Sequence, residues 1–347
     1  MDLKKKVYET IKEKKLLESK RYDVVLGFSG GPDSLALFNV LVELSLDYVK
    51  SNGKYGYDMY IHPVHINHNL RGEDSDMDEK FVVDFSKDMA SKYPDIVRDA
   101  TVYSVDIEGY SKAMKLSTEE TGRKIRYMKF LEAGRELSDP VIMVAQNAND
   151  RAETILFRLL RGTSIKGLEG IPYERYEDEL RVVRPLLDCT REEIETYLKE
   201  KDLNPRIDKT NLEEMYSRNK IRLDLIPKLK EYNPNIIETL NRFSDSLLPI
   251  NEYLDKEADS YIKSINGNSI RVKELKEIPK VIRYEIYKKM LSNIGMKEDI
   301  TKVHLDEIDK MVGPTNHKVT IVELANNYRV SKEEGKFTFY LSDLPTA

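Results

Sequence analysis

Between Val24 and Ser34 the chain reads VVLGFSGGPDS, which dictates a strand, a glycine turn and a helix N-terminus in immediate succession. Val24, Val25, Leu26 and Phe28 make a short buried strand. Ser29-Gly30-Gly31 and Pro32-Asp33-Ser34 follow, and the apolar stretch Leu35 to Val49 has helical length. Glycines let the backbone approach a ligand closely, the first N–H groups of a helix lack partners, and that end of the helix is positive. Such a loop suits a di- or triphosphate. A tight strand-to-helix turn with Ser and Asp as ordinary helix-start residues would look the same. The run is neither a Walker loop nor a G-x-G-x-x-G fingerprint.

Strand and helix patterns alternate after this run. Strands are expected over Val24–Phe28, Met59–Ile66, Thr101–Ile107, Val141–Ala145 and Arg181–Leu187. Helices are expected over Leu35–Val49, Asp76–Tyr93, Ser117–Leu137, Asp150–Arg161 and Arg191–Lys201. The alternation predicts an α/β fold, a doubly wound parallel sheet whose ligands lie beyond the carboxyl ends of its strands. After Lys201 the pattern changes, punctuated by Pro205, Pro227 and Pro234. Pro234 to Ile265 reads as largely helical with a break at Pro249, followed by helices over Lys273–Ile294 and Thr301–Val312. Short strands such as 318–322 and 336–340 close the chain. We therefore expect a nucleotide-handling domain over 1–215 and a smaller, mainly helical domain with short terminal strands over 216–347.

With 347 residues the chain has room for two domains. It has no apolar run long enough to span a membrane, and its charged start lacks the core of a signal peptide. Val7, Ile11 and Leu16 or Leu17 mark that start as an amphipathic helix. Cys189 is the only cysteine, which rules out an internal disulfide framework and fits a reducing cytoplasm. The net charge of −5 does not advertise nucleic-acid binding, but the distribution is uneven. Lys115 to Arg135 holds six basic and three acidic residues, and Tyr216 to Lys230 holds five basic and one acidic. Such faces can grip a phosphate backbone, or they can be solvated helix faces.

Further constellations fall at expected strand ends. His65 and His68 have metal-ligand spacing, but no third ligand accompanies them, and a loop of donors near a phosphate is the better reading. Glu119, Arg123 and Arg126 or Tyr127 follow at helical steps and share a face. They can position phosphate and an amine, or form an ordinary solvated Glu–Arg pair. Asp150 and Glu153 sit in the first turn of a helix, where acids are favoured structurally and where a cation or an attacking amine would also lie. Arg158, Arg161-Gly162-Thr163 and Lys166-Gly167-Leu168 form a basic glycine turn, suited to phosphate or to a helix C-cap. Arg218, Lys220 and Arg222 cluster at the expected domain junction, a good place to grip RNA.

The order SGGPDS resembles the pyrophosphate-binding loop of the PP-loop ATP pyrophosphatase superfamily. Together with HINHNLRG (65–72), EETGRKIRY (119–127), NDRAETILFRLLRGTSIKGL (149–168), RPLL (184–187), DKTN (208–211) and YSRNKIR (216–222), it resembles the tRNA(Ile)-lysidine synthase family within that superfamily. The match covers about two thirds of the chain, and residues 234–341 resemble that family's helical middle region. The further C-terminal domain of longer members is not matched, which implies a short or truncated form. The resemblance implies ATP and Mg²⁺ as cofactors, with a tRNA(Ile) carrying a CAU anticodon and free L-lysine as partners. A homodimer is compatible with it. It also implies that the C2 carbonyl oxygen of the wobble cytidine is adenylated, and that the lysine ε-amine then displaces AMP to give lysidine. Ser29, Gly30, Gly31, Pro32, Asp33 and Ser34 would bind ATP, with Asp33 on the metal. Asp33, Arg123, Gln146, Asp150 and Glu153 would be catalytic, and Arg126, Arg161, Arg218, Lys220 and Arg222 would contact tRNA. Gln146 departs from the pattern, since the family usually has His there. Gln can hydrogen-bond an adenylate but cannot change protonation state near neutral pH. It is expected to end the fourth strand within reach of the phosphates. A weakened paralogue, a natural variant and an inactivated chain all fit that departure. The rivals are PP-loop thiolases, which need paired cysteines, and amidotransferases, which need an N-terminal Cys where this chain has Asp2. A non-catalytic RNA-binding relative is the remaining alternative.

Overall fold

The computed structural model describes residues 2–18, 20–68, 73–206, 219–263, 265, 267–296, 300–313 and 319–342. Two compact units divide the chain, Met1–Ser244 and Asp245–Ala347. The sequence junction expected at 215/216 falls earlier. Residues after it stay with the first unit because Ile221, Ile226 and Ile237 are buried with Ala148, Ala152 and Leu156.

In the first unit the sheet strands are β1 (Tyr22–Gly27), β2 (Met59–Asn67), β3 (Thr101–Ser104), β4 (Pro140–Met143), β5 (Glu174–Glu177) and β6 (Leu180–Val183). Their order is β3-β2-β1-β4-β6-β5. All neighbours are parallel except β5, which runs antiparallel to β6. Among the described residues the helices that alternate with them are α1 (Leu3–Glu13), α2 (Pro32–Lys50), α3 (Glu73–Lys92), α4 (Ile107–Met114), α5 (Thr118–Gly134), α6 (Ala148–Arg161) and α7 (Arg191–Glu200). Both faces of the sheet are covered, which is why its central strands read as continuous apolar runs. Alternation sends Val24, Leu26, Val141 and Met143 into one core with Leu35, Phe38 and Ile194. It sends Val25, Ile142 and Val182 into the other with Tyr127 and Phe130.

Three expectations need correction here. The expected strand over Arg181–Leu187 is the second arm of a hairpin that turns at Asp178, where φ is +48°. It ends before Pro185, which cannot donate to a ladder. Residues 105–107 leave β3 because the Asp106 carboxylate caps α4, accepting from Gly109 N at 3.0 Å. Helix Ile236–Lys263 runs on through Pro249 without a break. One missing N–H is a local loss, and the apolar repeat Leu254, Ala258, Ile262 carries on beyond it.

The second unit packs helices Val272–Lys276, Lys280–Asn293 and Lys302–Lys310 on a sheet of β7 (Ser269–Arg271), β8 (Thr320–Glu323), β9 (Tyr328–Glu333) and β10 (Lys336–Leu341). The strand order is β7-β10-β9-β8, and all its pairs are antiparallel. Pro279 splits the helix expected over Lys273–Ile294. Among the described residues no helix is long and apolar enough to cross a membrane.

Candidate active site

In strand order, β1 lies between β2 and β4, so the connections leave in opposite directions from β1 and β4. This is the crevice of a doubly wound sheet. Two helix N-termini point into it, α2 after β1 and α6 after β4. The loop before α2 turns at Gly30, with φ of +79°. A Cβ there would stand 2.9 Å from Phe81 Cδ1, so a side chain is excluded on two counts. Gly31 is the N-cap and Pro32 opens the helix, so no side chain closes off the first N–H groups of α2. The loop is braced from behind. Ser34 Oγ donates to Gly31 O at 3.0 Å and lies 3.1 Å from Ser29 Oγ. Arg206 N donates to Gly30 O at 3.0 Å while its Nε donates to Asp78 at 2.9 Å. His65 is buried, which lowers its pKa, and its Nδ1 lies 3.0 Å from Phe28 O. It props the strand end, and no metal-ligand cluster occurs among the described residues.

Asn147 joins the two N-termini. As N-cap of α6 its Oδ1 accepts from Asn149 N and Asp150 N at 3.0 and 3.1 Å, and Asp150 returns the bond to Asn147 N at 3.1 Å. This is a capping box. The remaining amide nitrogen donates to Asp33 Oδ1 at 3.0 Å. Arg191 Nη2 meets Asp33 Oδ2 at 3.3 Å. Burial pushes the Asp33 carboxyl up to about 6; Arg191 pulls it down and Asp150 adds to the rise. Glu153, one turn into α6, is also raised by burial, with Arg222 opposing. The Arg222 guanidinium grips Glu153 at 2.7 and 2.9 Å and touches Asp150 at 3.2 Å. Burial works against its charge, but Glu153 and Asp150 outweigh that and raise its pKa.

Asp33, Asp150, Glu153 and Arg222 thus come together, and Arg222 faces carboxylates where the sequence reading had given it a nucleic-acid phosphate. Gln146 also differs from expectation. Its Oε1 accepts from the Nε of buried Arg184, just beyond β6, so its carbonyl is committed away from the α2 loop. Arg184 also donates to Pro172 O at 2.9 Å. Burial lowers its pKa, with Tyr127 opposing and Arg175 and Arg123 adding to the fall. Arg123 and Arg175 lie over the Tyr127 ring at 5.3 and 4.5 Å, so three guanidinium groups surround one phenol. Arg126 and Lys220 are exposed, and Arg161 is exposed at the far end of α6, over the Phe157 ring. Eleven residues of helix separate it from Asp150, about 16 Å. Gly162 is the C-cap of α6, with φ of +75° and its N–H on Leu159 O, and Arg158 donates to Gly167 O and Gly170 O at 2.8 and 2.9 Å, so the basic glycine turn serves the helix end and its own backbone. Arg218, residues 69–72, 208–211 and 216–217 and the Glu119 side chain lie outside the described residues.

Sequence reasoning missed Asn147, Arg191 and Arg184. For Asn147 a signal existed: Asn followed three residues later by Asp ahead of an apolar-periodic run marks a capped helix start. Nothing in the sequence linked Arg191 to Asp33 across 158 positions.

Mg²⁺ needs oxygen ligands and is typically held by one or two carboxylates plus substrate phosphates. Asp33, half-buried, raised in pKa and close to Asp150 beside an uncapped helix end, fits one shared with phosphates.

A protein-family profile described as a PP-loop domain matches residues 2–229. The tRNA(Ile)-lysidine synthase of Clostridioides difficile is 37% identical over 335 residues, covering 94% of this chain and 65% of the relative. That of Caldanaerobacter subterraneus subsp. tengcongensis is 35% identical over 345 residues, 95% of this chain and 69% of the relative. That of Clostridium perfringens is 40% identical over 277 residues, 78% of this chain and 55% of the relative. The chain therefore spans about two thirds or less of these proteins. Among solved structures, the U34-tRNA thiolase NcsA from Methanococcus maripaludis superposes with a TM-score of 0.53 over 71% of this chain and 78% of that one. At 16% identity it supports the fold alone. With its PP-loop domain and these relatives, the chain belongs to the tRNA(Ile)-lysidine synthase family of PP-loop proteins.

Proposed function

We propose that this protein ligates lysine to C2 of the wobble cytidine of a CAU-anticodon tRNA(Ile), using ATP. The cytidine O2 attacks the α-phosphorus and pyrophosphate leaves. The lysine ε-amine then attacks C2, the C2–O bond breaks, and AMP leaves with the oxygen. The observation that carries this reading is the Asn147–Asp33 bond of 3.0 Å. It sets an uncapped helix end, suited to a departing pyrophosphate, beside a carboxylate pair suited to an ammonium ion. The names of the relatives support tRNA(Ile) as the RNA and lysidine as the product.

Asp33 would hold Mg²⁺, which when bound neutralises phosphate charge. The N–H groups at the start of α2 would hold the phosphate oxygens, and Arg191 would add a cation there once Asp33 turns to the metal. An ammonium is not a nucleophile until it loses a proton. Glu153, made more basic by burial, would take that proton while Asp150 orients the chain. Gln146, with its carbonyl held by Arg184, would present its amide N–H as a neutral donor. The substrates and the lone buried Cys189 suit a cytoplasmic protein. The test is mass spectrometry of nucleosides from a CAU-anticodon tRNA(Ile) transcript after incubation with the protein, ATP and lysine. Lysidine in place of one cytidine is expected, and unmodified cytidine throughout would overturn the reading.

A further inference from the structure

Arg222 makes two hydrogen bonds to Glu153 and one to Asp150, at 2.7, 2.9 and 3.2 Å. The Glu153 side chain is 7% exposed, whereas that of Arg222 is 31% exposed. The carboxylate is closed off from solvent, while the arginine that pairs with it keeps part of its side chain in contact with water. Any other cation that is to reach Glu153 must replace Arg222.

The backbone under Arg222 is unusual. Ile221–Leu225 is a π-helical turn, and Ile226 N closes it by donating to Ile221 O. Pro227 follows at the start of helix Ile226–Tyr232 and has no N–H to offer the carbonyl of residue 223, which an α-helical winding would require. Single π turns inside α-helices concentrate at functional sites. Here the wide turn presents Arg222 to Glu153 of α6. Lys220, two residues earlier, is exposed. Part of the Arg222 side chain stays open to solvent, where a phosphate can compete with the carboxylates for it.

We propose that Arg222 is a resident stand-in for the ammonium group of the amine substrate. It closes Asp150 and Glu153 in the resting protein, and an RNA phosphate draws it away. Lysine then enters only after the RNA, so the ammonium reaches its proton acceptor only when the cytidine that it is to attack is in place. The proposal rests on the reading that a cationic amine and an RNA are the substrates.

Equilibrium dialysis of radiolabelled L-lysine against the full chain tests it, with and without saturating anticodon stem-loop of the CAU tRNA. Wild-type affinity for lysine should tighten about 10-fold or more when the stem-loop binds, a normal size for coupled sites. Arg222→Gln without RNA should match wild type with RNA and gain little more from it. Arg222→Lys, which keeps a cation in place, should stay weak without RNA. A merely structural ion pair would give the opposite sign, because Arg222→Gln would then loosen the site and weaken lysine. Equal wild-type affinity with and without RNA overturns the proposal, and this pair decides alone should Arg222→Gln fail to fold. Lysidine formation by wild type separates the two readings. Lysidine made with RNA-independent lysine binding sinks the stand-in and leaves the ligase, and RNA-gated lysine binding without lysidine does the reverse.

Discussion

The two helices that meet in the crevice start in opposite ways. At α6, Asn147 and Asp150 satisfy each other in a closed capping box, so the helix end has little left to offer a ligand. At α2, a glycine stands where a capping side chain would be, and the end stays open. A Ser, Thr, Asp or Asn cap is worth about 1 kcal/mol over an apolar residue. Over the glycine at α2 the gain would be only a few tenths of a kcal/mol, which the chain forgoes there, and it takes the full cap at α6. The open end is the one built for a phosphate, and the closed end is the one that must hold carboxylates still. Stability and ligand binding are thereby divided between two N-termini that Asn147 joins directly and Arg191 joins from the side.

Removing the acid at the open end should have the largest effect. Asp33→Ala should lower RNA-dependent pyrophosphate release by about 10²–10³-fold, in the range of losing one preorganised electrostatic group, with RNA binding by filter assay kept. Equal loss of both in a folded protein would show that the ends are not separate. Asn147→Ala strikes the closed end and the link at once. It should destabilise the protein by about 2 kcal/mol in a urea titration, combining a lost cap with an unpaired buried acceptor. A change under about 0.5 kcal/mol would mean the box is ornamental.

Asp33→Asn sharpens the contrast through pH. The folded carboxyl sits near 6 against an unfolded value of 3.8, so between those limits the folded state binds more protons. Stability therefore falls as pH rises through this window, and the penalty is complete above about pH 6. The value near 6 already contains the Arg191 pairing, so the amide should stabilise the protein by up to about 3 kcal/mol at pH 8 and by almost nothing near pH 4. Thermal melts at the two pH values read this, and an advantage that grows on acidification would contradict it. The smallest effect is expected for Gly31→Ser. The backbone there has φ −72° and ψ 168°, which a serine adopts freely, and the new Cβ would meet only Ser29 Oγ at 3.5 Å. A serine cap should add a few tenths of a kcal/mol of stability, since Gly is already a tolerable cap, while weakening ATP by several-fold as it takes an N–H from the phosphates. Tighter ATP binding would show that α2 is not open in the sense argued.

The open end was legible in the sequence because its chemistry is local. Strand, glycines, proline and aspartate lie within eleven residues, and Asp150 and Glu153 announce a helix start by position alone. The links between the ends were not legible. Asn147 reaches Asp33 across 114 positions and Arg191 reaches it across 158, so only the β1–β4 neighbourhood brings them together. Arg222 reads from the sequence as a tRNA contact because a basic run carries no mark of the acids on α6 that answer it. Gln146 was placed toward the phosphates because strand order alone did not reveal Arg184 on the β6 side. The β5 arm escaped notice because Glu174-Arg175-Tyr176-Glu177 is a polar edge strand without an apolar alternation to mark it.

The division of labour between the two helix ends meets its sharpest test in Glu153→Gln. RNA-dependent exchange of labelled pyrophosphate into ATP reports the α2 end, and lysidine formation reports both ends. Exchange should stay within about 3-fold of wild type while lysidine formation falls about 100-fold, the size of one lost general base. Parallel loss of exchange and lysidine formation in a folded variant would contradict the division and return both steps to one undivided site.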